Sequence, residues 1–140
     1  MKRLAVLSVL LLLIGCSDPY GACVKGGADV ANGIKAAMKT VDDIHNAGLI
    51  SSTEDGHILD YLKFANDADG AFLTCAATAH TAGVKGSFTA CATGFSTALN
   101  NPTELALIQV GNPKEQATVT AIINGIIAGV NTIMAALGGQ

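Results

Sequence analysis

Between positions 42 and 60 the chain gathers half of its carboxylates and imidazoles, the side chains that could hold a metal or move a proton. Asp42, Asp43, His45, Glu54, Asp55, His57 and Asp60 all fall in this stretch. Carboxylates and imidazoles together suit zinc or another divalent cation. The spacing argues against one. A metal site in a bundle core sets Glu and Glu-x-x-His on facing helices, all pointing inward. Here Glu54-Asp55-Gly56-His57 gives that spacing once, at a helix start where acids already compensate the dipole. His45, His57, Asp42 and Glu54 are the residues a cation would use, with pH sensing by the two histidines as a further option. The expectation is a solvated loop with no metal and no cofactor. No Ser/His/Asp set is recognisable, and no G-x-S-x-G occurs. The glycines of KGGADVANG lack the Gly-Lys-Ser/Thr of a phosphate loop. His80 stands alone near a turn. No catalytic residue is expected.

The cysteines carry the other chemistry. Met1-Lys2-Arg3 is a short positive start, and residues 4–14 then hold one hydroxyl, Ser8, and no charge. About eleven apolar residues make roughly 16 Å of helix against the ~30 Å of a bilayer core, too short to span. The pattern is that of a secretory signal peptide. It ends in Leu13-Ile14-Gly15-Cys16, which resembles the lipobox of bacterial lipoproteins at all four positions. The resemblance covers the first sixteen residues. It implies a diacylglyceryl group on the Cys16 thiol and cleavage before it. Residues 1–15 are then signal peptide, 16–18 a lipidated tether and 19–140 a single helical domain. A third acyl chain on the amine is common in the class. Two or three chains, at about 0.8 kcal/mol per buried CH₂, anchor far more firmly than one. Ser17 rather than Asp follows the cysteine, which in a Gram-negative host favours the outer membrane over retention in the inner one.

Export permits disulfides. Cys75 and Cys91 lie eight residues before and after Gly83, on the apolar stripes of what should be adjacent antiparallel helices. A bridge between them is expected, with two buried free thiols as the alternative. Cys23 is then odd, and its pairing with Cys75 or Cys91 stays open.

Four helical arms must position these groups. The first, from about 19 to 47, puts Cys23, Val30, Ile34, Met38, Val41 and Ile44 on one face and stops at Gly48. The second opens at SSTED, where Ser51 with Glu54 or Ser52 with Asp55 makes a capping box. It lines up Ile58, Leu62, Ala65, Phe72, Cys75 and Ala79 and ends near Gly83. The third carries Phe88, Cys91, Phe95 and Leu99, breaks at Asn100-Asn101-Pro102 and restarts to about Val110. The fourth opens at Asn112-Pro113-Lys114-Glu115. The predicted fold is therefore all-α: an up-down four-helix bundle with its third arm bent at Pro102, preceded by the cleaved lipoprotein signal peptide.

Residues 117–139 hold no charge and are long enough to span a membrane. Thr118, Thr120, Asn124, Asn131 and Thr132 interrupt them, so the most buried helix of a soluble bundle is expected instead. Gly125 and Gly129 spell GxxxG, a spacing that permits close helix packing.

Without the signal, six lysines face eleven acids. A net charge of about −5 excludes an electrostatic grip on nucleic acid or anionic lipid. Trp is absent, and Ala (23) and Gly (16) dominate, so the core is thin and an aromatic-lined pocket is not expected. These readings point to a small lipid-anchored helical protein of the bacterial cell envelope with a structural or interaction role. Its partners are the membrane through its acyl anchor, and an envelope protein or a second copy. A membrane-active or pore-forming use of residues 117–139, and metal binding at the 42–60 end, are the competing functions.

Overall fold

The computed structural model describes residues 18–138. The signal segment, Cys16 and Ser17 lie outside the described residues. Five helices follow one another: α1 (Pro19–Asn46), α2 (Ser52–Ala82), α3 (Ser87–Leu99), α4 (Pro102–Leu107) and α5 (Pro113–Gly138). No strand occurs among the described residues, and the fold is all-α.

Local chemistry sets the helix ends. The Asp18 carboxylate accepts from the Tyr20 and Gly21 amides, and Pro19 fills the first helical position of α1. Of the two capping boxes open to the sequence, Ser51–Glu54 forms. Ser51 Oγ accepts from the Glu54 amide, and Glu54 Oε2 accepts from the Ser51 amide at 2.7 Å. Gly83 ends α2 at φ 69°, a left-handed conformation that glycine adopts without a Cβ clash. Asn101 and Asn112 use their side-chain oxygens on the amides two residues ahead, each just before a proline.

The helices form a bundle in which α1 packs on α2 and α5, and α3 packs on α2 and α5 in turn. The α2 core line is Ile58, Leu62, Ala65, Asp69, Phe72, Ala76 and Ala79, with steps of four and three. Cys75, expected on that stripe, is instead exposed at its flank, and Ala76 takes the core position. Phe72 stacks on Phe95 of α3, centroids 5.2 Å apart. Tyr61 is buried beneath the end of α3 and donates its hydroxyl to the Leu99 carbonyl at 3.0 Å. That carbonyl is one of the last in α3 and has no later amide in the helix to accept from. Tyr61→Phe leaves it unpaired in the core. The expected cost is about 1–3 kcal/mol, read as a lower denaturant midpoint with unchanged m-value.

Two expectations are corrected. The third arm breaks at Asn100-Asn101-Pro102 as expected, but the helix that restarts there stops at Leu107 rather than near Val110. α3 has 13 residues, α4 has six with none buried, and the chain beyond Leu107 is non-helical, with Ile108 and Val110 returning to the core. Nor is α5 the most buried helix. Seven of its 26 residues are buried, a share like that of α1 and α2, whereas α3 buries five of 13. α5 flanks the bundle. Its core line is Val119, Ile123, Ile126, Val130, Ile133 and Leu137, while Asn124, Ala128 and Asn131 face outward.

α1 and α5 approach closely because glycine removes side chains at the contact. A Cβ on Gly26 would fall 2.3 Å from Ile133 Cγ1, and one on Gly129 would fall 3.1 Å from Val30 Cγ2. Gly33 meets nothing. The two α1 glycines should therefore respond oppositely to alanine. Gly33→Ala is expected to stabilise by up to about 1 kcal/mol through helix propensity. Gly26→Ala gains the same propensity but must push Ile133 off its preferred rotamer, a cost of about 1–3 kcal/mol. Thermal midpoints moving in opposite directions are the expected result.

Candidate functional site

The turn between α1 and α2 collects several of the sequence candidates, although not as a metal site. Glu54 is committed to backbone. Besides closing the capping box, its Oε1 accepts from the Gly111 amide at 2.6 Å, tying the start of α2 to the loop before α5. These hydrogen bonds hold its pKa below the ordinary carboxylate value, the Gly111 amide first among them. His57, Asp42, Asp43 and Asp60 are exposed, and Asp43 and Asp60 pair with Lys39 and Lys63 on their own helices. Among the described residues no group of three or more His, Cys, Asp and Glu side chains is placed to hold a metal ion.

The structure does bring together a Ser, a His and an Asp that the sequence did not reveal. His45 Nε2 lies 3.2 Å from Ser52 Oγ, and its Nδ1 lies 3.6 Å from Asp55 Oδ2. The order of atoms is that of a hydrolytic triad. The location favours a structural clasp. His45 sits in the last turn of α1 and Asp55 in the first turn of α2, where the Asp55 carboxylate suits the positive start of the helix. Ser52 is exposed on the bundle surface, and none of the three residues lines the groove between α1 and α5. The contact could be found only across a folded turn, because seven residues separate His45 from Ser52.

At the opposite end, Tyr20 of α1 stacks on His80 of α2 with ring centroids 4.2 Å apart, so His80 is not alone. The expected disulfide is present: Cys75 joins α2 to Cys91 of α3, with Cα atoms 5.8 Å apart. Cys91 is buried and Cys75 exposed, so the bridge runs along the edge of the α2–α3 seam. Cys23 is a free, fully buried thiol in the first turns of α1. Burial, and next the Asp18 carboxylate, raise its pKa and keep it a protonated, unreactive thiol.

Two acidic side chains are buried among the described residues: Glu115 in the first turn of α5, and Asp69 within the bundle. Asp69 is 4% exposed, on the α2 face that meets α1. Its Oδ1 has no hydrogen-bond partner among the described residues and would sit 3.2 Å from a Cβ placed on Gly27. Burial raises its pKa to about 6.

A groove of about 830 Å³ runs between α1 and α5. Its walls are small or aliphatic, among them Ala22, Gly33, Ala37, Ile122, Gly125 and Ile126. Lys25 and Asp29 are its only charged residues and lie toward the start of α1. The sequence pointed to Gly125 and Gly129 but not to the matching small residues of α1. Among the described residues α5 is the one helix long and apolar enough to cross a membrane, by length and composition only. Just 28% of its most apolar window is buried, yet its large side chains are those in the core. The hydropathy of its outer face comes from Ala and Gly, between Asn and Thr. No family model, no curated protein and no solved structure matches the chain.

Proposed function

We propose that this is a small lipid-anchored helical protein of the bacterial cell envelope, with a structural or protein-interaction role. The observation that carries the reading is Leu13-Ile14-Gly15-Cys16 at the end of an apolar run, with only Ser17 and Asp18 before the first helical residue, Pro19. Cleavage before Cys16 and acylation of its thiol would hold the start of α1 close to the membrane. The domain would face the periplasm, from the outer membrane in a Gram-negative host. An up-down arrangement of the four longer helices is the fold assigned to it. Opposed numbering supports this: Gly26 with Ile133 and Val30 with Gly129 across α1–α5, Tyr61 with Leu99 and Cys75 with Cys91 across α2–α3. Partners are an envelope protein or a second copy.

A membrane-spanning role for α5 is disfavoured, since Val119, Ile123, Ile126, Val130, Ile133 and Leu137 would have to leave the core together. Cell fractionation separates the readings. Wild-type protein is expected with the membranes until detergent is added, and a truncated Cys16→Ser protein lacking residues 1–15 in the soluble fraction. A truncated Cys16→Ser protein that stays with membranes through alkaline carbonate extraction favours insertion of α5.

A further inference from the structure

We propose that the α1–α5 groove seats an acyl chain borne by this chain's own Cys16. This rests on the lipid-anchored reading above. Place comes first. The groove begins at Ala22, in the first turns of α1, and Ala136, near the end of α5, and it runs to Thr40 and Ala121. Cys16 precedes Asp18 by two residues, so its Cα lies within about 7 Å of that of Asp18. The anchor is therefore tethered two residues before Asp18, near the end of α1 at which Ala22 begins the groove.

Length agrees. From Ala22 to Thr40 the helix rises about 27 Å at 1.5 Å per residue. An acyl chain spans about half of the ~30 Å bilayer core. One chain fits lengthwise, with space left at the Lys25 end for its ester-linked glyceryl group.

The lining agrees as well. Gly33 and Gly125 both line the groove, and a Cβ on either would meet nothing within 4 Å. Gly56, Gly70 and Gly94 are as open without lining the groove, so at Gly33 and Gly125 the open space shows only that the groove has room along its walls. A flexible methylene chain suits a channel of small residues better than a second copy does. The large exposed apolar side chains, Val24, Leu49, Val84 and Leu107, are scattered over α1, two turns and the end of α4. They form no ridge that could enter the groove of another copy.

The test uses the full-length protein in an acylating host grown on a palmitate that carries a diazirine and an alkyne. After irradiation, crosslinks from the Cys16-borne chain are expected within the same polypeptide, to residues 22–40 or 121–136. Gly33→Trp and Gly125→Trp, made singly and together, fill open space and should cut the crosslink yield severalfold while the label on Cys16 and the helical circular dichroism persist. A labelled wild-type protein crosslinked only to lipid or to a second polypeptide overturns the proposal. So does a groove-filled, folded variant with undiminished yield. A protein that carries no label at all instead removes the anchor reading, and this inference with it.

Discussion

Cys75→Ser is expected to lower the unfolding free energy by about 3 kcal/mol, the chain-entropy value for a loop of this length. The bridged residues are 16 apart, so the cross-link removes a closed loop's worth of freedom from the unfolded chain. Two features make the loss large for this fold. α3 has 13 residues, near the length below which a helix does not hold in water by itself. Its core residues, Phe88, Cys91, Ala92, Phe95 and Leu99, must all be held against α2 and α5 by packing alone once the bridge is gone. Three kcal/mol is a large fraction of the 5–15 kcal/mol typical of a domain. Cys75 is the better position to replace, because it is exposed and serine there leaves the core intact. A Cys16→Ser background without residues 1–15 avoids the membrane. Its thermal midpoint should fall by about 10 °C on adding Cys75→Ser, and by a similar amount on reduction of the parent. Reduction should do nothing further to the Cys75→Ser protein. Alkylation of the unfolded parent should find one thiol, Cys23, without reductant and three with it. An unchanged midpoint, or three reactive thiols before reduction, contradicts the bridge.

Asp69→Asn is expected to flatten the dependence of stability on pH. The folded-state pKa of Asp69 is about 6, above the ordinary 3.8. Below the lower value the carboxyl is protonated in both states and the fold bears no cost. As pH rises through the folded value, the protein must bury a charge whose Oδ1 has no partner. Stability is thus full in acid and falls by about 3 kcal/mol by neutral pH, at 1.36 kcal/mol per unit. Glu54 works in the opposite direction. Its lowered pKa contributes stability above its unfolded value, which is lost as pH falls through the folded one. The wild-type curve sums the two, so the informative quantity is the difference between variant and wild type. That difference should be most favourable to Asn near neutral pH and shrink by about 2–3 kcal/mol toward about pH 4.5, read from urea midpoints. An equal difference at both pH values means that Asp69 does not titrate in the interior.

Much of this architecture is legible from local signals. Asp18-Pro19, Ser51 with Glu54, Gly83, Asn101-Pro102 and Asn112-Pro113 mark helix ends by chemistry that acts within four residues, and each sits at an end. The disulfide is legible because Cys75 and Cys91 are symmetric about a turn that the glycines announce. What depends on neighbours is less so. Positions three and four residues on both lie on the same helical face, and only the packing partner chooses between them. Ala76 is buried rather than Cys75, and Ile123 more than Ile122, for that reason. Asp69 is not legible from apolar periodicity, because a carboxylate does not count toward an apolar stripe. The signal was present as the missing step between Ala65 and Phe72 in a run that otherwise advances by four and three. The His45–Ser52–Asp55 clasp and the α1–α5 groove both need two elements placed against each other. Neither has a signature within a single segment.

The account depends most on the chemistry of one thiol. Full-length wild-type protein and Cys16→Ser, expressed in a host whose own lipoproteins label, should be compared after growth on an alkyne-bearing palmitate. The mass of the mature wild-type N-terminal peptide should be read in parallel. The account predicts label on wild type alone, and an N-terminal peptide beginning at Cys16 with diacylglyceryl attached. Equal labelling of both proteins, or a wild-type N-terminus that begins elsewhere and carries no lipid, contradicts it.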